Sequence, residues 1–261
     1  MASMRDIKRR KSSISSTQQI TKAMKLVSTV KLQKAKTHAE ATTPYFDSMY
    51  KTVCSMLAKA GTVNHPYLQK QKSTKKAIIV ISSNRGLAGG YNSNVIKLIT
   101  GGDFEKEDLL IYAIGHKDDA SRICEELLKK YVAGEIGEIY LAYTHFKNTV
   151  VHVPTLMKLL PVELDKQELE ASKEATLLMN FEPNEEAALE MIVPKYVTSL
   201  LYGALIEAVA SENGARMQAM DSATSNAEDM IDDLTLKYNR ARQGSITQEL
   251  TEIIAGAEAI S

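Results

Sequence analysis

The residues best able to do chemistry in this 261-residue chain are few and scattered. The loop Asn84-Arg85-Gly86-Leu87-Ala88-Gly89-Gly90-Tyr91-Asn92 follows an apolar run and precedes a helical one. A phosphate cradle sits at such a place in nucleotide-binding folds. Its glycines, however, fit neither the GxGxxG nor the GK[ST] spacing, and no lysine follows where a phosphate needs one. A structural turn is the better reading. The five histidines (His38, His65, His116, His145, His152) form no HExxH and no helical pair at metal spacing. Asp232-Asp233 and Glu185-Glu186 are sequence neighbours, which on a helix point about 100° apart and make no acid–base pair. Cys54 and Cys124 lie in no CxxC pattern and have no obvious base nearby; GxSxG is absent. The chain reads as non-enzymatic by itself, with no cofactor and no metal.

Charge says more than chemistry. The formal net charge is zero, but residues 1–36 hold ten bases against one acid, and residues 207–261 hold ten acids against four bases. Laid side by side, the two ends attract. Exposed pairs contribute only about 0–1 kcal/mol each, so charge selects the pairing rather than holding it. The basic end has no aromatic before Tyr45, which argues against nucleic acid. Two unpatterned cysteines suit a reducing compartment. No apolar run approaches the roughly 20 residues that span a bilayer, and the start lacks the apolar core of a signal peptide. A basic, amphipathic start leaves a mitochondrial presequence open by composition; a bacterial cytoplasmic protein is the favoured expectation.

The elements that position these residues fall into three segments. From Met1 to Thr43 there is neither Gly nor Pro, and helical composition resumes after an interruption at Pro44 through about Ala60. The sparse apolar positions Ile7, Ile14, Ile20, Met24, Val27 and Val30 need a partner. Residues 215–243 supply one, with a 4-3 repeat through Met220, Thr224, Ala227, Ile231, Leu234, Tyr238, Ala241 and Ser245. After Gly244 a more apolar tail follows: Ile246, Leu250, Ile253, Ile254, Ile260. Between the two lies a strand–helix alternation: strands at Lys76–Ser82, Asp108–Gly115, Glu138–Phe146 and Val150–Leu156, helices at Ser93–Thr100 and Ala120–Ala133. That pattern predicts a small, mostly parallel, doubly wound α/β domain. Polar linkers are expected at 61–75 and 165–190. The expected organisation is an N-terminal helix over 1–60, an α/β domain over 76–165 and a C-terminal helix over 191–261. The fold class is thus α/β plus a long antiparallel α-helical coiled coil made by the two termini, with the domain inserted between them.

Three separated motifs resemble one family. Met4-Arg5-Asp6-Ile7-Lys8, Gln19-Ile20-Thr21-Lys22-Ala23-Met24 and Val27-Ser28 are similar to the start of F-type ATP synthase gamma subunits. So is Arg85 to Asn92 after the first strand. Most specific is the end, Tyr238-Asn239-Arg240-Ala241-Arg242-Gln243 followed by Ile246-Thr247-Gln248-Glu249-Leu250-Thr251-Glu252-Ile253-Ile254-Ala255-Gly256-Ala257. The stretch Ser211-Glu212, Ala215-Arg216-Met217, Ala219-Met220 also fits. One departure stands out: family members usually carry more sequence, including a further strand, between the second strand and the next helix. Here Ile114-Gly115-His116-Lys117 runs almost directly into Asp118-Asp119-Ala120.

The resemblance implies a central rotor shaft that couples ion-driven rotation of a membrane c-ring to conformational cycling of catalytic beta subunits. Its implied partners are the alpha and beta subunits, epsilon and the c-ring, and its implied place is the cytoplasmic face of a bacterial membrane, peripheral and within the complex. By motif position, Lys22 and Met24 face an acidic lever segment of beta, and Arg242 with Gln243 meets a catch loop higher up. Ile246, Leu250, Ile253, Ile254 and Ile260 turn in an apolar crown sleeve, and Phe181 and Glu182 lie on the c-ring and epsilon side. The alternatives are a coiled-coil tethering protein with an α/β head, and a small nucleotide-binding enzyme.

Overall fold

The computed structural model describes residues 4–60, 65–69, 71–102, 104–115, 117–162 and 184–258. The expectations for Phe181, Glu182 and Ile260, and most of those for the two linkers, lie outside these residues. In chain order the elements are α1 (Met4–Ala60), β1 (Lys76–Ile81), α2 (Tyr91–Thr100), β2 (Leu109–Ile114), α3 (Lys117–Val132), β3 (Glu138–Phe146), β4 (His152–Leu160) and α4 (Glu185–Glu258). The chain divides into two compact units: a rod of residues 1–28 with 216–261, and a head of residues 29–215.

The head is built on a four-stranded sheet of order β2-β1-β3-β4. β1 pairs in parallel with β2 and with β3, whereas β3 and β4 are antiparallel. A short connection makes β4 antiparallel: the Asn148 carboxamide oxygen accepts the N–H groups of Val150 and Val151 at 2.9 and 2.7 Å. That Asx turn folds the chain straight back, so β4 begins at His152 and runs to Leu160, later than the sequence suggests. β1 is buried almost throughout, as a central parallel strand covered on both faces must be. Ile78, Val80 and Ala142 pack on α2 through Val95 and Ile99. The opposite face carries Ala77, Ile79, Ile81 and Leu141, covered by Cys124, Leu127 and Tyr131 of α3, Val53 and Leu57 of α1, and Leu189, Val193, Leu201 and Leu205 of α4. The sheet edge at β2 leaves Leu110 and Ile111 exposed.

α1 fills the span expected for it, and α4 starts earlier than the sequence suggests. α1 does not stop at Pro44 but passes through it for 57 residues, a length of about 86 Å. An internal proline costs a helix about 3 kcal/mol. Pro44 has no N–H to give the Glu40 carbonyl, and the Thr42 and Thr43 hydroxyls donate one step earlier, to His38 and Ala39; α1 nevertheless packs on the head core beyond the proline. Burial outweighs the defect. α4 likewise passes through Pro194 and starts at Glu185, so Glu185–Glu190 is helix rather than linker. Asn184 caps it, its side-chain oxygen accepting the Ala187 N–H at 2.8 Å. α4 also contains an 18-residue stretch of mean hydropathy 1.3, long and apolar enough to cross a membrane. This corrects the expectation that no such run exists. Leu189, Val193, Val197, Leu201 and Leu205 of that helix are buried in the head core, which accounts for their apolarity.

In the rod, Thr21 meets Thr224 hydroxyl to hydroxyl at 2.9 Å, and Lys25 pairs with Asp221. Moving forward on α1 therefore moves backward on α4: the helices are antiparallel. The α4 seam is as the repeat indicates, with Met220, Ala227 and Leu234 buried and Thr224, Ile231, Tyr238, Ala241 and Ser245 half-buried. The α1 seam differs from expectation. Met4, Ile7, Lys11, Ile14, Gln18, Thr21, Lys25 and Ser28 face the partner at 3-4 spacing, whereas Ile20 and Val27 point outward. Small side chains such as Ser28 and Thr21 bring backbones close, and the bulkier neighbours are left outside.

Candidate functional site

The head offers one place where a doubly wound sheet ordinarily binds a ligand. β1 is followed by a crossover to β2 on one side and the chain later returns to β3 on the other, so the C-terminal ends of β1 and β3 flank a topological switch point. The loop singled out in the sequence starts there. Leu87 has φ 63° and Gly89 φ 58°, left-handed values that let the loop turn sharply. Its polar groups are then consumed internally. The Ser83 N–H donates to the Asn92 side chain at 2.9 Å, and the Asn92 amide donates back to the Ser83 hydroxyl at 2.8 Å.

The crevice itself is filled by α4. The Asn84 N–H donates to the carboxylate of Glu212 at 3.3 Å, the kind of donor that an anionic ligand would claim. Ser211 donates its hydroxyl to the Thr144 carbonyl at 3.1 Å, and Tyr91 donates to the Ala208 carbonyl at 3.3 Å. Burial pushes the Tyr91 phenol up to about 12, the nearby Glu212 charge adding to this and the Thr144 hydroxyl opposing it. It stays a neutral tether at any physiological pH. Burial also raises the Cys124 thiol, which contacts the Thr198 hydroxyl at 3.5 Å, so it is no nucleophile. The phosphate-cradle candidate is thus a socket for the protein's own helix, and the crevice holds structure where another fold holds substrate.

His152 lies against the same stretch of α4, at Gly214. Its ring lies 5.9 Å from that of Phe146, and both ring nitrogens are buried without a hydrogen-bond partner. Burial lowers its affinity for a proton, opposed by the nearby Thr149 carbonyl. An imidazole disfavoured as a cation in the folded state stabilises the fold only while neutral. Stability from this source is complete above the unfolded value near 6.5 and is lost as pH falls below it. His65, also lowered by burial, has the same sign. The urea midpoint of the purified chain is therefore expected to fall between pH 7 and 5.5. His152→Phe should make that dependence shallower, which a denaturation series at four pH values measures.

The rod carries the remaining candidates on two levels. Lys22 is exposed and Met24 half-buried on α1, beside the level of the Lys25–Asp221 pair. Arg242 and Gln243 are both exposed on α4, about 30 Å further along the helix at 1.5 Å per residue. They do not form one patch. Beyond them Ile246, Leu250, Ile253 and Ile254 are 49–68% exposed. In the antiparallel register this end of α4 lies past the level of Met4, and among the described residues none of α1 covers it. Sequence reasoning overlooked the outward apolar residues Leu26, Met230 and Leu236, whose only signal was that they fall off the seam.

These features define a class: one unit is an antiparallel helix pair, and the other is a small doubly covered sheet whose ligand crevice is plugged by the chain's own helix. The sequence matches the ATP synthase family over residues 3–119 and again over residues 116–260. It is 62% identical to the ATP synthase gamma chain of Lachnoclostridium phytofermentans, in an alignment of 291 positions covering all of both chains. It is 36% identical to the sodium-ion-specific gamma chain of Acetobacterium woodii, covering 99% of each. The rotor of the mitochondrial ATP synthase of Euglena gracilis contains a chain of the same fold, with TM-score 0.67 and 15% identity over 93% of this chain and 98% of that one. A chain in a second Euglena assembly gives 0.70 and 16% over 98% and 94%. The chain belongs to the ATP synthase gamma-chain family, a non-catalytic subunit of the enzyme that makes ATP.

The alignment with the Lachnoclostridium chain is longer than the 261 residues here, and the two family matches meet at residues 116–119. The family matches thus meet where the chain passes from Ile114 to the helix starting at Lys117. This is the departure noted in the sequence, and it coincides with the exposed β2 edge.

Proposed function

We propose that this chain is the turning shaft of a bacterial ATP synthase, peripheral to the cytoplasmic face of the membrane and attached to it only through the complex. Its partners in this reading are the alternating alpha and beta subunits around the rod, and epsilon and the c-ring beside the head. Ion flow turns the ring and the shaft with it, so ion transport and ATP synthesis are linked mechanically. Residues 1–60 and 191–261 serve as the coiled arms and 76–165 as the inserted domain. The observation that carries the reading is the outward placement of large apolar residues on the rod, ending in an uncovered apolar tail. A solitary tethering arm has no use for such a surface, whereas a shaft inside a collar does.

The physical task is to bias chemically identical sites unequally. A subunit that presents different faces to its surroundings shifts each site only by its differential contact energy with that site's open and closed forms. About 5.5 kcal/mol moves a site from 1:99 to 99:1. Several charged and apolar contacts per neighbour reach that value. We assign Lys22 and Met24 to the lever segment of beta, Arg242 and Gln243 to its catch loop, and Ile246 to Ile260 to the crown. Phe181 and Glu182 are assigned to the ring and epsilon side.

Arg242 is the sharpest test because it is exposed and off the seam. Arg242→Glu is expected to leave the chain folded and assembled while lowering coupled ATP turnover by about tenfold or more, the equivalent of ~1.4 kcal/mol at one contact. Turnover and ion pumping of the reconstituted complex report this directly. Unchanged coupling would remove Arg242 from the interface.

A further inference from the structure

Among the described residues, β3, β4, the loop after β1 and the start of α2 reach α4 within residues 207–214, about two helical turns. Glu207 pairs with His145 at 2.7 Å, Ala208 accepts from Tyr91, Ser211 donates to Thr144 and Glu212 accepts from Asn84. The last link is steric. A Cβ on Gly214 would lie 2.5 Å from Cε1 and 2.8 Å from Nε2 of His152, closer than real side-chain carbons approach. The imidazole occupies the notch that the missing side chain leaves, beside the Thr149 carbonyl. A ring fitted this closely against a helix backbone acts through its shape.

We propose that His152 is the key of a torque-bearing joint, a positioning residue that stops α4 from rolling against the head when the shaft is loaded. The inference rests on the rotor reading. Successive side chains on a helix are about 100° apart. Any roll of α4 about its axis therefore carries the notch away from the ring and drives the side chain of Asn213 or Ala215 against it. Tyr91, Ser211 and Glu212 contribute hydrogen bonds, which can stretch or exchange. The ring in the notch is a hard stop. A joint of this kind matters under load and is silent when the rotor spins freely.

The test uses the whole ATP synthase in sealed vesicles, with His152→Ala, His152→Phe, Gly214→Ala and the His152→Ala/Gly214→Ala double variant. A potential-sensitive dye reads the steady membrane potential that ATP hydrolysis sustains at stall, whichever ion is carried. With an uncoupler present, hydrolysis is expected to stay within about twofold of the parent for all four. At stall, His152→Ala and Gly214→Ala should each sustain a smaller potential, and His152→Phe should restore it because phenylalanine keeps the ring. The double variant should be no worse than the poorer single, since both act on one contact. Parent-like stall potential in His152→Ala overturns the joint. So does a phenylalanine variant as poor as alanine, or a loss that merely tracks the amount of assembled complex. If the parent complex pumps equally well without this chain, the rotor reading fails instead.

Discussion

Replacing Ile246, Leu250, Ile253 and Ile254 together by serine is expected to leave this chain folded and yet to abolish stable assembly of the complex. In the chain alone these residues are about half to two-thirds exposed, so little apolar burial is lost. The expected change in the chain's own unfolding free energy is within about 1 kcal/mol, as for other surface substitutions. In an apolar collar the same four side chains would each contribute about 1.5–3 kcal/mol by leaving water. Their joint removal is then worth several powers of ten in association. Denaturation of the purified chain and co-purification of alpha and beta with the variant give the two numbers. A variant that unfolds, or one that assembles normally, contradicts the assignment of this tail.

The second large effect lies in the head. Gly137 precedes β3, and a Cβ there would fall 2.0 Å from the Ser73 carbonyl oxygen. The Gly137 N–H donates to the Lys75 carbonyl at 2.7 Å, and the Ser73 hydroxyl donates to the Glu135 carbonyl at 2.9 Å. Two backbone segments are thus laced together at the entry to β1 and β3, with no flexible side chain able to yield. Gly137→Ala is expected to destabilise the head by more than ~3 kcal/mol, the range reserved for backbone clashes and buried defects. Gly134→Ala, whose added carbon meets nothing but whose φ is 75°, should cost only about 1 kcal/mol from backbone strain. Thermal or urea unfolding of both variants against the parent separates clash from strain.

Much of this architecture was legible because burial and period coincide. The runs at 76–82 and 138–146 are apolar in the way that covered central strands must be, and both strands form there. The 4-3 repeat from Met220 to Ser245 marked the α4 seam residue by residue. The α1 seam was hidden because its members are Thr21, Ser28, Lys11 and Gln18, which hydropathy ranks below their exposed neighbours Ile20 and Val27. Pro44 suggested an interruption because a local helix breaker was weighed without the core that overrides it. The plug of α4 in the switch-point crevice could not be read from the sequence. Glu212 lies 128 residues from the loop whose N–H it accepts, and no local spacing records such a meeting. His152 and Gly214 were invisible for the same reason: one was an isolated histidine, the other a glycine inside a helix.

The rod described above is apolar on its outside as well as in its seam. Hydroxyls and Ala227 share the seam with Met220 and Leu234, and the Lys25–Asp221 pair lies at its exposed margin, while Ile20, Leu26, Val27, Met230 and Leu236 lie on the skin. A greasy exterior interacts through dispersion, at about 0.1–0.2 kcal/mol per atom pair and without directional preference. In the proposed shaft such a coat would slide past successive neighbours with shallow energy wells, as a lubricated spindle does, and the exposed charges of Lys22 and Arg242 would act as cams, giving the surface the few angles at which it presses.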